Sequence, residues 1–196
     1  SIIATITRLV VATEGPIIEI GPGDGALTIP LARLGRPVTA IEIDARLARC
    51  LSERLPSHVD VVSDDFLIYR LPTYPHVLVG NLPFHQTTAM LRRMLHAPAW
   101  TNAILLVQWE VARRRAGLGG ATMMTAQWAP WFEFTLHARV PSRAFTPRPG
   151  VDGGILTIYR REHPLLPSTQ RRQFHALVHR VYTGPGCGLA QILARN

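Results

Sequence analysis

Between Pro16 and Gly117 the chain alternates short aliphatic and β-branched runs with segments whose apolar residues recur at helical spacing. No other feature narrows the fold as far. "PIIEIG" (16–21) predicts a strand, "ALTIPLARLG" (26–35) a helix ended by Gly35, and "PVTAIEID" (37–44) a second strand. "ARLARCLSERL" (45–55) predicts a helix, and "VDVVSDDF" (59–66) and "HVLVGN" (76–81) two more strands. "TTAMLRRMLHA" (87–97) reads as a helix opened by a threonine cap, and "NAILLVQWEVARRRAG" (102–117) as a strand turning into a basic helix. Strand, helix, strand repeated in this way predicts an α/β fold, a doubly wound parallel sheet with helices on both faces. "WFEFTLHARV" and "GGILTIYRR" then add a closing antiparallel pair. Ahead of the first strand, "SIIATITRLVVATEGP" predicts an amphipathic helix with Ile3, Ile6, Leu9 and Val10 on one face. After Arg161 the text changes to a linker, "EHPLLPST", and two short helices separated by "TGPGCG". These cannot fold alone and are expected to pack on the core as a small helical appendage, residues 162–196, to a main domain of residues 1–161.

Length and composition fit that division. A chain of 196 residues, 47% hydrophobic, can bury one core and a small addition. Its 21 basic against 13 acidic residues give a net charge of +8, which favours a polyanionic partner such as nucleic acid, or an anionic membrane. Cys50 and Cys187 stand far apart with no metal-ligand spacing around them, so neither a disulfide framework nor a metal site is expected, and a reducing cytoplasm fits best. No apolar run approaches the length of a spanning helix, and the opening residues lack the pattern of a signal peptide, so no membrane association is expected.

In open sheets of this kind, ligands bind at the carboxyl ends of the strands. Four such ends are informative here. In "EIGPGDGALT", Gly21, Gly23 and Gly25 make a turn without side chains, followed by a helix N-terminus; dinucleotide enzymes, methyltransferases and plain tight turns all use such a turn. "AIEID" places Glu42, or Asp44, where a carboxylate can accept hydrogen bonds from both hydroxyls of a ribose. In "SDDF", Asp64 or Asp65 can take the amino group of an adenine while Phe66 packs beside the ring. In "GNLPF", the Asn81 side-chain oxygen and the carbonyl held outward before Pro83 can accept two hydrogens from one exocyclic amine. That withdraws the nitrogen lone pair from ring conjugation. Phe84 can then lie against a base pulled from its stack.

With "PSRAFTPRPGVD" added, these motifs resemble, in order and spacing over residues 14–160, the S-adenosylmethionine-dependent rRNA adenine N6-methyltransferases. "ILLVQWEVARRRAG", "GGATMMTAQWAPWFEF" and "VYTGPGCGLAQIL" look like the erythromycin-resistance (Erm) branch rather than the small-subunit dimethylases of ribosome maturation. The resemblance implies a Rossmann-like class I methyltransferase with S-adenosylmethionine as cofactor. It implies methylation of one adenine in large-subunit (23S) rRNA, with resistance to macrolides, lincosamides and streptogramin B. It further implies Gly21, Gly23 and Gly25 against the methionine part of the cofactor, Glu42 on the ribose, and Asp65 with Phe66 at the adenine. Asn81, which is also expected to touch the cofactor, and the Leu82 carbonyl would orient the target N6, with Pro83 fixing the turn, Phe84 stacking on the base and Phe145 helping to hold it. No metal is needed and a monomer is expected. Family members usually open with a Gln-Asn-Phe segment that closes over the cofactor; residues 1–196 do not contain it, so weak cofactor affinity is expected of them.

Arg113, Arg114 and Arg115 are expected beside the substrate mouth, and Arg143, Arg148, Arg160 and Arg161 around the loop bearing Phe145, as phosphate contacts that position RNA. Arg171, Arg172 and Arg180 extend that footprint onto the tail. Three rival classes share parts of this pattern. A DNA adenine methyltransferase needs a recognition domain for which the chain has no room, and a protein-glutamine methyltransferase presents an amide to the same site. A non-catalytic RNA-binding relative would lose the Asn81, Glu42 and Asp65 set, which is intact.

Overall fold

A computed structural model describes residues 1–184. It contains a seven-stranded sheet in the order β3-β2-β1-β4-β5-β7-β6. The strands are β1 (Ile17–Ile20), β2 (Val38–Glu42), β3 (Val59–Ser63), β4 (His76–Asn81), β5 (Trp100–Gln108), β6 (Phe132–Val140) and β7 (Gly153–Arg160). The first five are parallel, and β7 runs antiparallel between β5 and β6. The direction of strand order reverses between β1 and β4, which leaves a crevice at their carboxyl ends.

Alternate side chains along each strand point to opposite faces and sort the core into two layers. Ile17, Val38, Val77, Val79, Ile104 and Leu106 face α1 (Ile2–Val11) and α2 (Thr28–Ala32). Their strand neighbours Ile18, Ile41, Leu78, Leu105 and Val107 face α4 (Thr87–His96) and the Trp128–Trp131–Phe132 group. Both faces of β1, β2, β4 and β5 are largely buried, which explains why these runs are nearly all aliphatic, whereas the edge strand β3 is partly exposed. α3 (Ala45–Ser52) covers β2 and β3, and α5 (Trp109–Arg115) follows β5 directly. α7 (Arg171–Thr183) packs on α6 (Met123–Trp128), where the Arg171 guanidinium lies 5.1 Å and 5.2 Å from the Trp128 and Trp131 ring centres. α7 is thus docked against the α6 side of the sheet. The second tail helix and Cys187 lie outside the described residues.

Several local expectations are corrected. Thr87 does not cap α4; it is buried in the first turn and donates its hydroxyl to the Pro83 carbonyl at 3.0 Å. Ile3 is exposed, because the buried stripe of α1 runs through Ile6 and Val10 with Leu9 at its margin. β3 stops at Ser63, since Asp64 and Asp65 turn the chain by accepting the next backbone N–H groups. α6 is a helix that "TMMTAQW" did not suggest; Thr122 caps it by accepting the Thr125 N–H.

Gly80 fixes the β1/β4 approach. A Cβ there would stand 2.7 Å from the Ile20 carbonyl oxygen, a backbone atom with no freedom to retreat. Gly80→Ala is therefore expected to destabilise the fold by about 1–3 kcal/mol, read as a lowered Tm, and an unchanged Tm would contradict the close packing of these strand ends.

Candidate active site

Three of the four strand ends form one pocket, and the glycine turn supplies its roof. A cavity of about 200 Å³ is lined by Gly21, Gly23, Glu42, Asp64, Asp65, Phe66, Asn81 and Pro83, together with Ile20, Ile41, Ile43, Gln86 and Met90. It lies at the crevice where strand order reverses. Gly21 and Gly23 have φ of +65° and +54°, conformations that bring bare backbone to the cavity wall.

Glu42, 6% exposed, is the structural hinge of the site. One carboxylate oxygen accepts the Gly23 N–H at 3.0 Å and the other the Asp44 N–H at 3.0 Å. Each oxygen keeps acceptor capacity for a ribose hydroxyl. Asp44, the alternative to Glu42, is occupied otherwise: its carboxylate caps α3 through the Arg46 and Leu47 N–H groups, at 2.8 and 3.1 Å. Asp64 and Asp65 both line the cavity, with Asp64 accepting the Asp65 N–H and Asp65 the Leu67 N–H, each at 2.8 Å. Phe66 is buried beneath them and Ile43, 66% exposed, stands opposite in sequence beside Glu42, so an aromatic and an aliphatic side chain border the space for a flat ring.

Asn81 ends β4 with its side chain exposed. The following Leu82 N–H continues the ladder by donating to Leu106 at 2.9 Å, which buries the Leu82 side chain in the core and fixes the turn. The Pro83 carbonyl is taken by the Gln86 N–H and the Thr87 hydroxyl, whereas the Leu82 carbonyl accepts no hydrogen bond among the described residues. Two free acceptors, the Asn81 amide oxygen and the Leu82 carbonyl, therefore flank the turn, with Phe84 half-buried next to them.

Residues 2–193 match the ribosomal RNA adenine dimethylase family. The chain belongs to that family. It is 60% identical over 196 residues to the rRNA adenine N-6-methyltransferase of Corynebacterium diphtheriae, covering all of this chain and 78% of that protein. It is 51% identical over 181 residues to the mycinamicin-resistance protein MyrB of Micromonospora griseorubida, covering 92% of this chain and 58% of MyrB. The chain thus spans just over half of MyrB. The crystal structure of the 23S rRNA methyltransferase ErmE superposes with a TM-score of 0.90 at 36% identity, covering 98% of this chain and 82% of that one. The class I methyltransferase sheet is therefore shared.

The cofactor of this family is S-adenosylmethionine, and the residues present fit it. The cavity offers side-chain-free backbone at one end, a buried carboxylate in the middle, and an acidic turn over an aromatic ring at the other. Among the described residues no group of three or more His, Cys, Asp or Glu side chains is placed to hold a metal ion.

Some family residues stand elsewhere than expected. Gly25 does not line the cavity; at φ +85° its missing Cβ leaves room for Leu51 of α3, which would be 2.5 Å away. Phe145, expected at the target base and not at the cofactor, lies against Gly153 and Leu106, the ladder partner of Asn81. Arg115 is only 8% exposed and bonds the Thr122 hydroxyl, which removes it from any phosphate-facing set. Arg113 is ion-paired to Glu110 at 2.9 Å, while Arg114 and Arg143 are exposed and Arg148 is exposed with its Nε donating to Ser142 at 3.2 Å. Arg160 sits at the opposite end of β7 from the Phe145 loop, donates to the Trp100 and Ala97 carbonyls and stacks on Trp100 and Phe132. Arg161 donates to the Ala129 carbonyl at 3.1 Å.

Glu19, which the motif reading passed over, is 2% exposed in β1. Burial pushes its pKa up to about 7 from 4.5; the neighbouring Thr28 hydroxyl opposes this and the Glu42 charge adds to it. Its position inside an apolar strand, "IIEI", was the available signal.

Glu42→Gln leaves one of the two loop N–H groups facing an NH₂ instead of an oxygen, and isothermal titration should show S-adenosylmethionine binding weakened roughly ten- to hundredfold. For Glu19, the folded carboxyl holds its proton to about pH 7 and the unfolded one only to 4.5, so the folded state binds more protons between them and stability falls as pH rises through that window. Glu19→Gln removes that slope. Melting curves at pH 8 should place the variant about 3 kcal/mol above the parent, and parallel pH profiles for the two proteins would contradict the assignment.

Proposed function

We propose that this chain is the catalytic part of an enzyme that transfers a methyl group to the exocyclic N6 of an adenine in large-subunit (23S) rRNA, giving resistance to macrolide-class antibiotics. The observation that carries this reading is the pair of unpartnered acceptors, Asn81 Oδ1 and the Leu82 carbonyl, in the turn that precedes Phe84 and that lines the cofactor cavity through Asn81 and Pro83. Two acceptors match the two hydrogens of one exocyclic amine, and no base or metal is required to generate the nucleophile. The 36% identity to the 23S rRNA methyltransferase ErmE and the 51% identity to MyrB support the large-subunit target and the resistance role.

S-adenosylmethionine supplies an electrophilic methyl group on a sulfonium centre. The chain's own residues supply position. Gly21 and Gly23 leave the cavity wall bare, Glu42 offers its remaining lone pairs to the ribose, and Asp65 receives the adenine amine over Phe66. Asn81 and the Leu82 carbonyl hold the N6 hydrogens, so the lone pair leaves conjugation and points along the line of attack; the methylated N6 is then cationic and releases one hydrogen as a proton to water. Phe84 holds the flipped base by stacking, a contact worth about 1–3 kcal/mol. Alignment of this kind accounts for most of the rate, since a bimolecular step becomes an effectively unimolecular one. Arg114, Arg143 and Arg148 are the exposed cations that position the RNA backbone. We assign this chemistry to residues 1–161, with 162–196 as the appendage, acting as a cytoplasmic monomer.

The test is transfer of labelled methyl to naked 23S and 16S rRNA. Incorporation into 23S alone is expected; incorporation into 16S alone would move the chain to the small-subunit branch, and none into either would overturn the enzymatic reading. Asn81→Ala should lower the transfer rate by at least about a hundredfold while S-adenosylmethionine binds within a few-fold of the parent. Loss of both together would mean that Asn81 serves the cofactor and not the amine.

A further inference from the structure

Beyond the cofactor cavity, the carboxyl ends of the strands carry a second concavity that the methyl-transfer reading leaves unused. It has a volume of about 380 Å³ and is built by Gln108 and Trp109 at the β5–α5 junction, Arg139 of β6, and Val151 and Asp152 ahead of β7. The sheet register places it. Asn81 pairs with Leu106, Gln108 with Gly153, and Arg139 with Gly154, so the concavity occupies the same sheet edge as Asn81, one to three strands over. At the usual strand spacing that is roughly 5–15 Å. Phe145, packed on Leu106 and Gly153, stands between the two.

Its chemistry differs from that of a phosphate site. The Arg139 guanidinium lies 5.2 Å from the centre of the half-buried Trp109 ring and is held by Asp152 at 2.8 Å. Asp152 is fixed in turn by the Ser142 N–H at 2.8 Å, and its own carbonyl accepts the Trp109 N–H at 2.9 Å. The two lining carboxylates are each already paired, Asp152 with Arg139 and Glu110 with Arg113, so the charges of the pocket are matched internally and its one lining guanidinium is committed to Asp152 rather than to a phosphate. What remains is a flat aromatic and guanidinium surface, the apolar Val151, and the Gln108 amide, which has no hydrogen-bond partner among the described residues. Planar π surfaces with a free donor and acceptor at the edge suit a neutral nucleobase.

We propose that this concavity is a second base pocket, in which a nucleotide flanking the target adenine stacks on Trp109 and Arg139 and presents its edge to Gln108. The assignment rests on RNA being the substrate. A base removed from its neighbours at this point would keep the RNA strand splayed while the target sits at Asn81. The pocket therefore contributes to choice of RNA, separately from the acceptors that perform the chemistry.

The probe is a short RNA hairpin whose loop carries one adenine, with each flanking loop base replaced in turn by an abasic site, and binding is read by fluorescence anisotropy. For the parent chain, loss of one particular flanking base should weaken binding roughly tenfold or more. Trp109→Leu should bind the intact hairpin that weakly and lose its sensitivity to the same abasic site, whereas Trp109→Phe, which keeps a flat face, retains most of both. Val151→Asp lies on an exposed loop and adds a third carboxylate to the pocket without touching the core; it should weaken binding severalfold even if Trp109→Leu fails to fold. A flat abasic scan, or undiminished sensitivity in Trp109→Leu, or parent-like binding by Val151→Asp, overturns the pocket. Methyl incorporation is scored independently: transfer without abasic sensitivity sinks only the base pocket, and sensitivity without transfer sinks only the enzymatic reading.

Discussion

The Glu42 carboxylate ties the site together. By accepting the Gly23 N–H on one oxygen and the Asp44 N–H on the other, it clamps the loops that leave β1 and β2. Without that clamp, two left-handed glycines would leave the first loop with many conformations of similar energy. Asp44, freed from ligand duty, holds the start of α3, and Leu51 of that helix fills the space that Gly25 vacates. One buried charge, compensated by two backbone donors, thus sets the cavity wall, the helix behind it and the packing between them. Its desolvation cost is offset by those charge-assisted bonds.

What the sequence disclosed follows from the same geometry. Ligand chemistry in a doubly wound sheet concentrates where strands end, so Glu42, Asp65, Phe66 and Asn81 were legible from their positions after apolar runs, and the structure lines one cavity with all four. Gly25 was not separable from Gly21 and Gly23, because glycine spacing does not record whether a missing Cβ faces a ligand or a leucine. Ile43, Gln86 and Met90 complete the wall through tertiary approach, for which a linear motif has no mark. α6 was hidden by its brevity: six residues carry too little periodicity to register.

Charge misled most where arginine serves the fold. Arg36 donates to the Gly15, Val10 and Thr13 carbonyls, Arg93 to those of Phe66 and Tyr69, and Arg160 to those of Trp100 and Ala97. These guanidinium groups finish loops and strand ends whose carbonyls would otherwise be buried without donors. Arg93 also secures the Asp65-Phe66 turn to α4, connecting a wall of the cofactor cavity to the helix that follows the Asn81 turn. The count of +8 therefore overstates the cations free to meet RNA: of the arginines expected at the substrate mouth and around the Phe145 loop, Arg114, Arg143 and Arg148 are exposed.

That redistribution separates two demands on the molecule. Orienting an amine needs acceptors held rigidly by a parallel sheet, and Asn81 and the Leu82 carbonyl sit one ladder bond from the core through the Leu82 N–H. In the proposed reading, handling RNA needs a broader rim, which the antiparallel β7–β6 extension beyond β5, carrying Arg139, the Arg143–Arg148 loop and Phe145, would supply. Nothing in the alignment step requires a side chain to exchange protons. Glu19, whose pKa of about 7 would suit a general base, is sealed within β1 and absent from the cavity lining. Its titration acts on how firmly the sheet holds together, while the acceptors at the strand end keep their function at any pH where the fold persists.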